Sequence, residues 1–145
     1  MTRTGAALVG VAVAAAIGAE LWTRASSSVP REDLPANVAA RVNPRLHDPA
    51  AVAEGAAVFE SNCVSCHGEH ADGRGVAAAG LAPPPAKFRD SDVLAQHSDS
   101  YLFYRITEGK PGTAMPSFRG ALAENERWAV IAYLRTLAPD AAVRR

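Results

Sequence analysis

Apolar residues recur at helical spacing in several segments of the chain, and segments rich in glycine and proline separate them. No segment shows the sustained alternation of apolar and polar residues that is typical of a half-buried strand. The spacing predicts three or four helices, which run from residue 49 to the cysteine at 63, near 90–96, from 99 to 108 and from 123 to 137. The fold class predicted for the chain is therefore all-α.

Capping residues mark the ends of two of these helices. Asp48 is a typical N-cap residue, and Pro49 suits the first helical position, where no backbone N–H is needed. Ser98 or Asp99 can cap a later helix, and Gly109 can end it. The two helices are therefore predicted to begin at residues 49 and 99.

The first 25 residues form an export signal or a transmembrane anchor. As a signal peptide, they begin with Arg3 and carry small residues suited to cleavage at Ala14-Ala15-Ala16. As an anchor, residues 5–22 give roughly 27 Å of helix, close to the thickness of a bilayer core. We expect the anchor, because the apolar run continues through Leu21-Trp22 past the possible cleavage site. Both alternatives place the rest of the chain outside the cytoplasm, at the outer face of the cytoplasmic membrane or free in the periplasm.

The remaining organisation follows from composition. Residues 26–47 mix serine, proline and charged residues without sustained apolar periodicity, which is typical of a linker. An alternative is that this segment wraps the domain. The domain itself is expected at residues 48–139, followed by a short tail at 140–145.

Charge and cysteine content exclude several classes of protein. The chain has 15 Lys and Arg and 15 Asp and Glu, so nothing in its charge suggests a nucleic-acid-binding protein. Residues 48–139 carry eight basic against eleven acidic residues, a balance of −3. Two cysteines cannot form a framework of several disulfides.

The two cysteines belong to the segment Cys63-Val64-Ser65-Cys66-His67, which has the spacing of a c-type haem attachment site. Two thiols at this spacing can add to the two vinyl groups of one haem, and the adjoining His67 can then reach the iron. A thioredoxin-like redox pair is an alternative, although its usual βαβ surroundings are missing from the pattern. A zinc site made of Cys63, Cys66, His67 and His70 is a second alternative, but its ligands are crowded into eight residues.

Met115 is the candidate for the second axial ligand of the iron. The only other methionine, Met1, belongs to the export segment. Met115 lies in a loop rich in glycine and proline, and Pro116 biases it toward an extended conformation. Three histidines are alternative ligands in principle, although each is expected at the surface: His47, His70 and His97.

The chain resembles a small monohaem cytochrome c of the His/Met type from about residue 48 to 138. The resemblance is carried by Gly55, Phe59, residues 63–68, residues 112–116, and residues 128–137 with Val130 and Tyr133. It implies one covalent haem c and a cytochrome c fold of three to four helices, in which Gly55 and Phe59 meet Val130 and Tyr133. It also implies that a proline carbonyl, of Pro83 or Pro84, accepts the ring N–H of His67. Candidate propionate donors are Arg105, Tyr104 and Trp128.

Iron held by both His67 and Met115 has no open position, which favours electron transfer over catalysis. We therefore expect a single-electron carrier rather than an enzyme, working between a dehydrogenase or quinol-oxidising complex and a terminal oxidase or reductase. The acidic domain suggests partners with basic patches. Two alternatives are a permanent subunit of a larger membrane oxidoreductase and an enzyme in which Met115 dissociates from the iron.

Overall fold

Six helices make up the described part of the chain, residues 34–137 of a computed structural model. They are α1 (Ala36–Ala39), α2 (Pro49–Asn62), α3 (Val64–His67), α4 (Ser91–Gln96), α5 (Asp99–Glu108) and α6 (Glu124–Leu137). No strand occurs within residues 34–137, which confirms the predicted all-α class. The four predicted helices are present, and α1 and α3 add one short turn each.

The helix ends form as their capping residues predict. The Asp48 side chain accepts a hydrogen bond from the backbone N–H of Ala50 at 2.9 Å, with Pro49 at the first helical position. Ser98 accepts in the same way from Tyr101 at the start of α5. Gly109 ends α5 with a φ of 75°, a backbone conformation that residues other than glycine rarely adopt. Local sequence therefore determines where these two helices begin and where α5 ends.

Helices α2 and α6 cross at Gly55, as the resemblance implies. A Cβ atom at this position would lie 2.0 Å from the carbonyl oxygen of Ala129 and 2.9 Å from the Cα of Val130. One turn further along α2, the Phe59 ring packs against the Tyr133 ring with centroids 5.5 Å apart. The absence of a side chain at Gly55 thus lets the two backbones touch.

The core forms where α2, α5 and the loops around α5 pack on α6. The rings of Phe103 and Trp128 are stacked at 4.1 Å, and both residues are 3% exposed. Each large apolar side chain buried in this way stabilises the fold by about 1.5–3 kcal/mol. The other large members of this core are Val58, Phe59, Leu94, Leu102, Leu122, Val130, Ile131 and Leu134.

A buried ion pair ties the last turn of α6 to the junction of α4 and α5. The Arg135 guanidinium lies 2.7 Å from Oδ1 of Asp99, and both side chains are more than nine-tenths buried. The same guanidinium donates to the backbone carbonyls of Leu94 and His97. Arg135 therefore donates to three acceptors that would otherwise lack a hydrogen-bond partner in the core.

The segment before α2 lies against the domain where the structure describes it. The side-chain amide of Asn43 donates to the carbonyl of Trp128 at 3.1 Å, in a buried position. The hydroxyl of Ser100 donates to the carbonyl of Arg41 at 2.6 Å. The Arg41 guanidinium also lies over the Phe103 ring, 4.4 Å from its centroid. These contacts correspond to the wrapped alternative for the second half of this segment.

The predicted anchor or signal at residues 5–22, the first part of the predicted linker and the tail at 140–145 lie outside the described residues. Within residues 34–137, no helix has both the length and the apolar content that crossing a bilayer requires.

Candidate haem site

The Cys-Val-Ser-Cys-His segment folds as a single helical turn that follows directly on α2. Cys63 ends α2 and precedes α3, with φ −118° and ψ −30°. The backbone N–H of His67 donates to the carbonyl of Cys63 at 2.8 Å and closes the turn. Both cysteines and His67 are half-buried, and the two cysteines form no disulfide with each other. One turn of backbone thus presents two sulfur atoms and one imidazole together.

The His67 ring is oriented by a backbone carbonyl. Its Nδ1 atom lies 3.0 Å from the carbonyl oxygen of Ala86. With the proton on Nδ1, the ring donates this hydrogen bond, and Nε2 keeps the lone pair that a metal ion needs. The resemblance implies the carbonyl of Pro83 or Pro84 as the acceptor, and this expectation is wrong by two or three residues. The carbonyl that reaches the ring belongs to Ala86, the residue after the proline run.

Aromatic rings surround the His67 imidazole. The Phe88 ring lies 4.7 Å from it, and the Phe59 ring lies 6.4 Å from it. Burial among these groups lowers the pKa of His67, and the hydrogen bond to Ala86 opposes this shift in part. The ring is therefore neutral near pH 7, the form that binds metal.

The thiol chemistry of the site argues against a thioredoxin-like redox pair. Burial, together with a smaller contribution from the neighbouring Cys66, raises the pKa of the Cys63 thiol to about 12. A redox-active cysteine needs a lowered pKa, because the thiolate is the attacking species. The described residues also contain no strand from which a βαβ unit could be built.

The zinc alternative finds no support in the geometry. His70, its fourth candidate ligand, is exposed. Among residues 34–137, no three or more His, Cys, Asp or Glu side chains cluster closely enough to hold a metal ion. The cysteines and His67 therefore suit attachment to a group that brings its own metal.

Met115 lies half-buried in the loop that follows α5. The backbone N–H of Lys110 donates to the Met115 carbonyl at 3.2 Å, and the Met115 N–H donates to the hydroxyl of Thr113 at 3.2 Å. A Cβ atom on Gly109 would lie 2.7 Å from the Met115 carbonyl oxygen. The loop thus folds back on the end of α5, and this close approach requires glycine at residue 109.

Two of the three alternative histidines lie at the surface. His47 and His70 are exposed. His97 is half-buried, and its ring stacks on that of Tyr101 with centroids 4.2 Å apart. The surface positions expected for His47 and His70 match the structure, whereas His97 packs against α5.

Several buried polar atoms have no hydrogen-bond partner among the described residues. They are Nε of Arg105, Oγ1 of Thr107 and Nε of Arg127. Arg105 also lies over the Tyr104 ring at 4.6 Å. Buried donors without partners are rare in folded proteins unless a bound group or water satisfies them. Of these residues, Arg105 is one of the candidate propionate donors, and its unpaired Nε fits that role.

Comparison with known proteins identifies the class. The model of the family described as cytochrome c oxidase, cbb3-type, subunit III matches residues 50–134. Cytochrome c6 of Anabaena variabilis is 35% identical over 80 residues, which cover 55% of this chain and 84% of the relative. The chain therefore belongs to this family of c-type cytochromes.

Solved structures agree with this fold. Cytochrome cL of Methylophaga aminisulfidivorans superposes with a TM-score of 0.55 at 23% identity, over 70% of this chain and 67% of that one. A chain of a Kuenenia stuttgartiensis reducing HAO-like protein complex superposes with a TM-score of 0.53 at 26% identity. That match covers 62% of the present chain but only 44% of the other.

The fold, the motif and the relatives together define a c-type cytochrome that carries haem c and transfers electrons. Cys63 and Cys66 have the spacing that covalent haem attachment requires. The expectation of an electron-transfer protein of the cytochrome c fold is confirmed at this level.

Proposed function

We propose that the chain is a single-electron carrier in which Cys63 and Cys66 hold one haem c and His67 and Met115 are the axial ligands of its iron. The observation that carries this proposal is the hydrogen bond between His67 Nδ1 and the carbonyl of Ala86. This bond fixes the tautomer and the plane of the ring, so that Nε2 is the atom left for the iron.

Met115 is the candidate for the sixth position because the folded domain offers no other thioether. The contact between its loop and Gly109 restrains the Met115 backbone, and the proline that follows keeps it out of a helix. A restrained loop is what a weak thioether ligand needs, since a mobile loop would let water compete for the position.

Bound haem supplies a one-electron couple, and methionine ligation raises its potential relative to ligation by two histidines. The protein contributes orientation and a dry surrounding. His67 is held by Ala86, and the apolar rings of Phe59 and Phe88 lie around the imidazole. If His67 and Met115 both held the iron, no open position would remain for a substrate, which would favour outer-sphere electron transfer.

The domain works outside the cytoplasm in this proposal, between a dehydrogenase or quinol-oxidising donor and a terminal oxidase or reductase. Residues 5–22 anchor it at the outer face of the membrane, or a signal peptide is removed and the domain is free in the periplasm. Its acidic balance favours partners that carry basic patches. The haem domain proper spans residues 48–139, with residues 41–47 wrapped on it. The intact mass of the mature protein shows whether the N-terminal segment is retained as an anchor or removed as a signal peptide.

The axial ligands are tested by visible spectroscopy of the purified full-length protein and of three variants. We expect covalent haem with low-spin ferric iron in the parent and a shift toward high spin in Met115→Ala. The variants His70→Ala and His97→Ala should keep the parent spectrum. An unchanged low-spin spectrum in Met115→Ala would show that another group ligates the iron. A parent without covalent haem would refute the whole proposal.

The second candidate function is that of a permanent subunit of a membrane oxidoreductase, because the matching family carries the description of an oxidase subunit. Extraction in mild detergent followed by size-exclusion chromatography separates the two candidates. A stoichiometric complex with other haem-bearing chains supports the subunit, and a free monomer supports the mobile carrier.

A further inference from the structure

Ala71, four residues after His67, has a strained backbone conformation. Its φ is 54°, and no other residue except glycine has a positive φ within residues 34–137. An L-residue avoids this left-handed region, because its Cβ atom crowds a carbonyl oxygen. The Ala71 side chain is 1% exposed and belongs to the main apolar core. Packing of this methyl group therefore holds the backbone in a conformation that it would not adopt alone.

The strained residue joins the attachment turn to the segment that contacts the His67 ring. The Ala71 N–H donates at 2.9 Å to the carbonyl of Gly68, the residue after His67. The Ala71 carbonyl accepts the N–H of Phe88 at 2.8 Å and the N–H of Arg89 at 3.4 Å. A change of φ at residue 71 would rotate this carbonyl relative to the attachment turn. The left-handed conformation is therefore what directs it at both donors.

A second contact holds the same segment two residues further along the chain. The Gly73 N–H donates to the His67 carbonyl at 2.8 Å. A Cβ atom on Gly73 would lie 2.7 Å from the carbonyl oxygen of Pro85, so the two backbones touch. Residues 68–73 are thus bound to the attachment turn on one side and to residues 85–89 on the other.

The segment held in this way supplies two groups that orient the imidazole. The Ala86 carbonyl oxygen lies 3.0 Å from Nδ1 of His67, and the Phe88 ring lies 4.7 Å from the imidazole ring. Donation of a hydrogen bond from Nδ1 makes the other ring nitrogen a more basic ligand. A more basic ligand favours ferric over ferrous iron, which lowers the reduction potential.

We propose that Ala71 is a positioning residue for the iron ligand: its left-handed turn holds residues 86–88 against His67 and thereby lowers the reduction potential of the haem. The inference rests on the proposed function, because it requires His67 to bind the iron. Glycine at residue 71 would adopt the same φ without strain, but it would lack the buried methyl group and would leave φ free to change. Loss of this restraint weakens the hydrogen bond to Nδ1 and raises the potential.

The test measures two properties of the haem-loaded full chain: its reduction potential, and the exchange rate of the His67 Nδ1 proton by NMR of the reduced protein. Ala71→Gly should shift the redox equilibrium about threefold toward the reduced form, roughly 30 mV for one electron. It should also speed exchange of the proton about tenfold through local opening. The control Ala51→Gly removes a methyl group that is 0% exposed and packs with Ala129 and Ala132. It should lower stability without changing the potential or the exchange rate.

The outcomes separate this proposal from the one beneath it. Equal potentials in Ala71→Gly and the parent would overturn the positioning role and leave the electron carrier standing. A shift of the same size in Ala51→Gly would also overturn it, because general loosening of the fold would then explain the effect. If Ala71→Gly yields no haem-loaded protein, Gly73→Ala displaces the same segment through the Pro85 carbonyl, and an unchanged potential in that variant would equally refute the role. A parent chain without covalent haem would overturn both proposals.

Discussion

Gly55→Ala tests the crossing of α2 and α6, on which the haem-attachment turn depends for its position. The added Cβ would lie 2.0 Å from the Ala129 oxygen, 2.5 Å from its carbonyl carbon and 2.9 Å from the Val130 Cα. Ordinary contact begins near 3.4 Å, so the helices must separate by about 1 Å or more at their closest point. All three atoms are helix backbone, which cannot rotate away.

The magnitude follows from two opposing terms. Alanine is favoured over glycine inside a helix by about 1 kcal/mol. Overpacking costs typically 1–3 kcal/mol and occasionally more, and rigid backbone neighbours place this site at the upper end. We therefore expect Gly55→Ala to lower the free energy of unfolding by about 2 kcal/mol, out of the roughly 5–15 kcal/mol typical of a domain.

The assay is denaturant unfolding of the haem-loaded protein, followed by far-UV circular dichroism. The control is Gly120→Ala, because nothing lies within 4 Å of a Cβ at that exposed position. The control should change stability by less than about 0.5 kcal/mol. Equal or greater stability in Gly55→Ala would mean that the helices do not cross at this contact, and the reasoning would be wrong.

Two further predictions address the buried ion pair and the Met115 loop. Arg135→Leu should lower the free energy of unfolding by about 3–5 kcal/mol in denaturant unfolding, because it leaves the buried Asp99 carboxylate without its partner. The control Arg119→Leu breaks an exposed ion pair and should cost less than about 1 kcal/mol. Similar losses in the two variants would refute the prediction that the buried pair matters more. Gly109→Ala and Gly112→Ala both place alanine at a φ of 75°, which should lower the free energy of unfolding by about 1–2 kcal/mol in each variant. Only the Cβ atom at residue 109 would press on the Met115 carbonyl oxygen. The visible spectrum should therefore gain high-spin character in Gly109→Ala alone, and a matching change in Gly112→Ala would contradict the assignment of that contact.

Much of the fold was determined by local sequence. The start of α2 at Asp48-Pro49 and the end of α5 at Gly109 depend on groups within a few residues of each other. The same holds for the haem motif, because the two cysteines and His67 meet within one helical turn. Interactions of this range can be predicted from the order of residues alone.

The acceptor for the His67 ring could not be predicted in this way. Every residue carries a carbonyl, so composition gives no signal, and only the path of the loop decides which one arrives at Nδ1. It is Ala86, beyond the proline run. The contact of Phe88 with the same ring depends on the same path.

Tertiary structure also decided the roles of two arginines. On the sequence, Arg135 is a basic residue near a helix end, where the dipole favours it, but in the fold it reaches Asp99, 36 residues away. Arg41 lies in a segment with the composition of a linker, yet its guanidinium covers the Phe103 ring. Both contacts form because packing α5 on α6 creates a buried acceptor and an aromatic surface, neither of which exists in any single segment of the chain.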